Sequence, residues 1–273
     1  MVKGYDLDDF IFEYDKISHL NFLKGRDYND FCAYSKNICS CMERCDILTA
    51  STITLAEEME RKFPNKQIIV HRNAACMEMQ LLSEIAIDNN DKSSSKKVIM
   101  GYFSGSYTHN DDWMMIENVV CDIMERNSCV GLMLVGALET GIKLSQYEER
   151  IMRIPFGDWQ KLPKLIRSID INLMPLENEL FNWCKSENKW MEAGLTGIPT
   201  VASRNPELER VMTDHVDVIF CDNEADWKMH ITQLIDDIQL RQTIGNNARD
   251  KVYDTYLVTS ENNYYEIVNI IVN

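Results

Sequence analysis

From residue 98 onward, short apolar runs alternate with longer amphipathic stretches. The runs at 98–103, 130–135, 151–154, 169–174, 198–202 and 216–221 are predominantly apolar and read as buried strands rather than as half-exposed ones. That pattern belongs to strands buried on both faces. The stretches 111–126 and 158–167 carry apolar residues at helical spacing, and further helices are expected at 224–237 and 240–253, with a last amphipathic segment at 260–272. Strands alternating with helices predict an α/β fold with a Rossmann-like, doubly wound parallel sheet. Ligands of such sheets bind outside the carboxyl ends of the strands.

The earlier part is less regular. Residues 10–12 look like a strand end and 28–44 like a helix; 46–50 and 68–71 look like short buried strands around a helix at 52–62. This is about half of a second Rossmann-like unit, so either the chain is truncated or a partner chain or a dimer completes it. The polar, Ser-rich stretch from Asp88 to Lys97 reads as a linker. The division is therefore a partial unit at 1–88, a linker at 89–97, a complete nucleotide-binding unit at 98–255 and a C-terminal helix at 256–273.

Charge narrows the classes of function. With 28 Lys and Arg against 43 Asp and Glu, the net charge is −15, which does not fit a surface that wraps nucleic acid or lies on anionic lipid. The longest apolar run, 130–138, is half a membrane span. No apolar leader is evident at the start, so a cytoplasmic protein is expected. Nine cysteines, an odd number in a chain of this length, suggest reduced thiols. Cys39, Cys41 and Cys45 lie in a helix-like stretch with no His near, and buried thiols explain them better than a metal site. No metal ligand set and no cofactor are expected.

The candidate chemistry gathers in two places. The first strand of the complete unit runs into Ser104, Gly105, Ser106 and His109 before a helix, a βα turn of the kind that cradles phosphate. Asn110 or Asp111 is the expected helix cap there. His109 stands at the mouth of the turn, within reach of a phosphate or a sugar. The second place is residues 175–203, PLENELFNWCKSENKWMEAGLTGIPTVAS. Lys185, Lys189 and Glu192 fall at i, i+4 and i+7 and should line one helical face, with Glu192 abutting Ala193. Two cations and an acceptor-only carboxylate suit a ligand carrying both phosphate and hydroxyls, a nucleotide-sugar. DLDD at 6–9 lacks the preceding strand and following Thr or Val of a dehalogenase-type phosphatase.

Taken together, GYFSGSYTHNDDW, LMLVGAL, RIPFGDWQKLPKLIRSIDINLMPL and the 175–203 stretch resemble the donor-binding domain of retaining GT-B glycosyltransferases of the group 1, or family 4, type. DLDDFIFE, CDILTAST and IIVHRNA resemble the second half of that family's acceptor-side domain. The resemblance implies two Rossmann domains facing a cleft, and metal-independent sugar transfer with retention of configuration. The nucleotide-sugar is a co-substrate, and the acceptor is a glycan or another molecule; by family habit the setting is polysaccharide biosynthesis. Glu192 matches the second Glu of the family's E-x7-E motif and would hold the donor ribose. Gly105 and Ser106 match the loop under the diphosphate, and Phe156 lies where the nucleobase is placed. Lys185 and Ser186 would face the phosphates or the transferred sugar, with Lys185 and Glu192 as the catalytic pair. Asn182, His109, Lys189 and Ala193 complete the donor-binding set.

The chain departs from the family at Cys184, which stands where the first Glu of E-x7-E would hold sugar hydroxyls. Asn182, Lys185 or Glu187 would have to replace it. That departure keeps two other readings open, a non-catalytic nucleotide-sugar-binding or accessory subunit, and a GT-B-like sugar-nucleotide epimerase.

Overall fold

A computed structural model describes residues 2–24, 28–89, 97–105 and 109–260. The first unit contains β1 (Gly4–Leu7), two single-turn helices α1 (Tyr14–Ile17) and α2 (Asn21–Lys24), α3 (Tyr28–Glu43), β2 (Ile47–Ala50), α4 (Ile53–Lys62) and β3 (Gln67–Val70). Its three strands are parallel in the order β1-β2-β3, with Gly4 opposite Ile47 and Ile47 opposite Gln67. Helix α5 (Met77–Asp88) follows.

The second unit runs β4 (Val98–Phe103), α6 (Asn110–Arg126), β5 (Val130–Val135), β6 (Ile151–Ile154), α7 (Leu162–Arg167), β7 (Ile171–Met174), α8 (Leu180–Trp183), α9 (Asn188–Leu195), β8 (Thr200–Ser203), α10 (Pro206–Val211), β9 (Ile219–Cys221), α11 (Glu224–Asp236) and α12 (Ile238–Thr255). Its six strands are all parallel, in the order β6-β5-β4-β7-β8-β9. The order reverses between β4 and β7, so the crevice of this doubly wound sheet opens at their carboxyl ends. The central strands β4, β7 and β8 are largely buried because both faces of the sheet are covered there. Met100, Tyr102 and Leu132 pack with Trp113 and Ile116 of α6 on one side, and Phe103 and Met133 pack with Ile166, Ala193 and Ile198 on the other.

Some expectations are corrected. Residues 10–12 are not a strand; β1 comes earlier, and Phe10 and Phe12 are buried loop residues in edge-to-face contact at 4.9 Å. β9 begins at Ile219 rather than 216, because Asp217 accepts a hydrogen bond from the Thr213 amide at 2.9 Å and ties 213–217 into a turn. Helix α5, not anticipated, packs on α7 and α9 of the second unit, and Tyr253 donates its hydroxyl to Glu84. Residues 90–96 of the expected linker and 261–273 of the expected last helix lie outside the described residues.

Candidate functional site

The switch point brings the two sequence candidates together. The segment after β4 carries Gly105 and His109, and the segment after β7 leads through α8 to Lys185 and α9. A cavity of about 660 Å3 lies there, lined among others by Gly105, His109, Phe156, Trp159, Lys189 and Glu192. A smaller one of about 160 Å3 is lined by Asp8 and Asp9 of the first unit together with His109, Lys185, Ser186 and Lys189. His109, Asn188 and Lys189 line both, so the two spaces meet at these three residues.

Lys185 is not on the helix. Residues 184–187 interrupt it, and α9 starts at Asn188, so only Lys189 and Glu192 share a helical face. Contacts at both ends of the interruption hold it in place. The Thr52 hydroxyl donates to the Cys184 carbonyl at 2.9 Å, and Glu187, next to α9, is buried against Arg72 at 3.1 Å and the Tyr256 hydroxyl. Glu187 is therefore turned away from the cavities. Cys184 and Phe181 pack in the core of the first unit, and burial pushes the Cys184 thiol up to about 12. Neither Cys184 nor Glu187 offers a carboxylate to a sugar.

Asp112, which the sequence alone did not single out, organises the site. It is 2% exposed. One carboxylate oxygen accepts from the Asn182 amide at 2.8 Å and the Glu177 backbone N–H at 2.9 Å. The other faces His109 Nδ1 at 3.0 Å and Lys185 Nζ at 3.6 Å. Burial raises its pKa, but the His109 hydrogen bond, Lys185, the Glu177 N–H and Lys189 outweigh burial and hold it at about 2. Asn182 is thereby a buried prop of Asp112 and lines neither cavity. Ala193 is likewise buried, in the core beneath Phe103. The cap of α6 is His109 rather than Asn110 or Asp111, and the Asn110 side chain accepts from the Glu139 amide instead. Ser106 lies outside the described residues.

The remaining groups are half-buried and electrostatically coupled. Burial, with Lys185 nearby, brings Lys189 down to about 8, while Asp112 and Glu192 pull the other way. Burial pushes Glu192 up to about 7 against the pull of Lys189. Among the described residues Lys185 Nζ is buried without a hydrogen-bond partner, and it lies 4.9 Å from the centre of the Phe181 ring. Lys185 and Lys189 thus place two ammonium groups around one junction, which suits a diphosphate.

Phe156, 72% exposed, and Trp159, 44% exposed, also line the larger cavity and offer two aromatic faces to a flat ring. Trp159, Leu162 and Leu165 escaped the sequence reading. Gly105 has an ordinary φ, and among the described residues a Cβ there would meet nothing within 4 Å. The fold itself does not require glycine at 105. The steric requirement falls on Gly136, at φ 97°, where a Cβ would run into the Ser104 carbonyl oxygen. Among the described residues no three His, Cys, Asp or Glu side chains gather into a metal-binding group, and no helix is long and apolar enough to cross a membrane.

Residues 117–261 match the family described as glycosyl transferase-like. The chain belongs to that family. The solved structure of HepE from Anabaena, in complex with UDP and glucose, superposes with a TM-score of 0.64 at 16% identity, covering 93% of this chain and 67% of that one. TarM from S. aureus, solved with fondaparinux, alpha-GlcNAc-glycerol and UDP, gives 0.66 at 16%, covering 93% and 48%. Sucrose-phosphate synthase from Thermosynechococcus elongatus gives 0.66 at 14%, covering 93% and 63%. The fold is therefore GT-B, and the chain spans about half to two thirds of these proteins. No curated protein sequence matches it.

Proposed function

We propose that the chain transfers a sugar from a nucleotide-sugar to a glycan or other acceptor, with retention of configuration and without a metal ion. The observation that carries this reading is the meeting of the two cavities at His109, Asn188 and Lys189, on the switch point of the second unit. The base stacks near Phe156 and Trp159, the ribose diol donates to Glu192, and the diphosphate lies over Gly105 between Lys185 and Lys189. The transferred sugar then reaches the smaller pocket, where Asp8 and Asp9 stand on the acceptor side. The two ammonium groups stabilise the charge that grows on the departing diphosphate, the role a divalent cation plays elsewhere. A polysaccharide-building role in the cytoplasm is part of the proposal. The UDP complexes of HepE and TarM make UDP the first nucleotide to try.

A second reading, an accessory subunit that binds the donor without turnover, is favoured by the withdrawal of Cys184 and Glu187 from the cavity. Calorimetric titration with UDP, GDP, dTDP and their sugars tests the donor site. One nucleotide family should bind, and Glu192→Ala, Lys185→Ala and Phe156→Ala should each weaken it about tenfold. A folded protein that binds none of them has no donor site. Binding with no release of nucleoside diphosphate over a panel of acceptors selects the accessory reading.

A further inference from the structure

If the donor lies as proposed, the hydroxyls of its transferred sugar come to the junction of the two cavities, and a sugar hydroxyl there needs an acceptor. In the 184–188 segment Asn188 brings a neutral amide to the junction, but no carboxylate faces it. Lys185 carries only N–H groups, Ser186 Oγ already accepts from Asn73 at 2.9 Å, and Glu187 is turned to Arg72 and Tyr256. Glu192 lines only the larger cavity, and Asp8 and Asp9 only the smaller one. The remaining ionisable groups at the junction are Lys189 and His109.

The protonation of His109 is set by its partners. Nδ1 is 3.0 Å from a buried carboxylate oxygen of Asp112 and 3.5 Å from the ammonium of Lys189. The shorter contact to the anion makes Nδ1 the protonated nitrogen, donating to Asp112. Burial keeps the ring neutral, at about 4, despite the Asp112 hydrogen bond, with Lys189 and Lys185 adding to the downward shift. A neutral ring with its proton on Nδ1 carries a lone pair on Nε2, and among the described residues that nitrogen has no hydrogen-bond partner. A lone pair repels a phosphate oxygen and accepts from a hydroxyl.

We propose that His109 reads a hydroxyl of the transferred sugar through an acceptor Nε2, and that Asp112 is the positioning residue that fixes this tautomer. The inference rests on the donor-site reading above and assigns the histidine to the sugar rather than to the diphosphate. Asp112→Asn is the informative change. The amide oxygen it introduces is held by the Glu177 and Asn182 N–H groups, as Asp112 Oδ1 is now. The new NH2 must then face His109 Nδ1 and donate to it. The ring proton moves to Nε2, and an acceptor becomes a donor.

The test measures the affinity of the nucleoside diphosphate and of its sugar, from the UDP, GDP and dTDP families, for the wild type and for His109→Ala, His109→Gln and Asp112→Asn. Nitrogen-15 spectra of the His109 ring are recorded alongside. For His109→Ala and Asp112→Asn we expect nucleoside diphosphate affinity to hold within about twofold while nucleotide-sugar affinity falls about tenfold. His109→Gln, whose amide oxygen can stand in for Nε2, should retain most of the sugar affinity. The ring should be protonated on Nδ1 in the wild type and on Nε2 in Asp112→Asn. Equal loss of nucleoside diphosphate and nucleotide-sugar in His109→Ala would place the histidine on the diphosphate and overturn the proposal while leaving the donor site standing. A wild-type ring protonated on Nε2 would overturn it as well. A wild type that binds no nucleotide removes the donor site itself, and this inference with it. Should Asp112→Asn fail to fold, the two His109 variants still decide.

Discussion

Replacing Arg72 by Met tests how the two units are held together. Arg72 follows β3 in the first unit, and its guanidinium bridges two buried carboxylates of the second, Glu187 at 3.1 Å and Glu207 at 2.8 Å. The Arg72 side chain is 18% exposed and those of its partners 3% and 0%. Removing one member of such a group costs about 3–5 kcal/mol, because it leaves buried charge without a partner. The two carboxylates do not suffer alike. Glu207 keeps the Ile53 and Thr54 amides and the Thr54 hydroxyl, at 3.3, 2.9 and 2.8 Å, on the N-terminus of α4. Among the described residues Glu187 keeps only the Tyr256 hydroxyl. The retained donors and the partial exposure of Arg72 favour the lower end, about 3 kcal/mol. For a chain of this size that lowers the first melting transition by about 6–12 °C.

Adding Glu187→Gln to Arg72→Met removes the worse-placed charge and should recover about half of the loss. Differential scanning calorimetry of the wild type, both single variants and the pair reads all four corners. A shift below about 2 °C for Arg72→Met, or a double variant no more stable than the single one, would show that uncompensated burial is not what the arginine prevents.

Two further outcomes follow from the site. Donor affinity should be greatest between about pH 7 and 8, since Glu192 must be ionised to accept from a diol and Lys189 must stay protonated to face a diphosphate. Titration should show binding about tenfold weaker at pH 6, one unit below the Glu192 value, and a Glu192→Gln variant that keeps this acid limb would rule Glu192 out as its source. Gly105→Ala should leave the melting temperature unchanged and weaken nucleotide binding, whereas Gly136→Ala should cost at least about 2 kcal/mol, measured by urea denaturation, from its positive φ and the Ser104 carbonyl.

The second unit was legible because its central strands are buried on both faces, and predominantly apolar runs separated by helical stretches have few other solutions. Errors fell where tertiary contacts decide. GYDL becomes a strand only by pairing with β2. Helix α5 lacks the usual Ser, Thr, Asp or Asn at its start, and Cys76 caps it through sulfur instead. In the site, Lys189, Glu192, Gly105, His109 and Phe156 line the larger cavity where they were sought, because the topology delivers both loops to one crevice. Asn182, Ala193 and Glu187 could not be placed by spacing alone, since their roles depend on what packs beneath the loop. Asp112 left no signal, because an acid in a first helical turn is common for reasons of dipole alone.

The departure at Cys184 has a structural counterpart. A carboxylate at 184 would sit in the apolar core of the first unit, beside Phe181, without a partner. A thiol fits there, and the chain then ties the following loop to the first unit at three more points: the Cys184 carbonyl to Thr52, Ser186 to Asn73, and Glu187 to Arg72. Asn73 also donates to Asp8 at 2.9 Å, so the same residue links Asp8 of the first unit to the loop that carries Lys185. Cysteine at 184 is therefore compatible with a loop fixed to the first unit. On the proposed donor-site reading the acceptor comes from elsewhere in the crevice, and His109, held by Asp112, is the group assigned to it without any movement of the 184–188 segment.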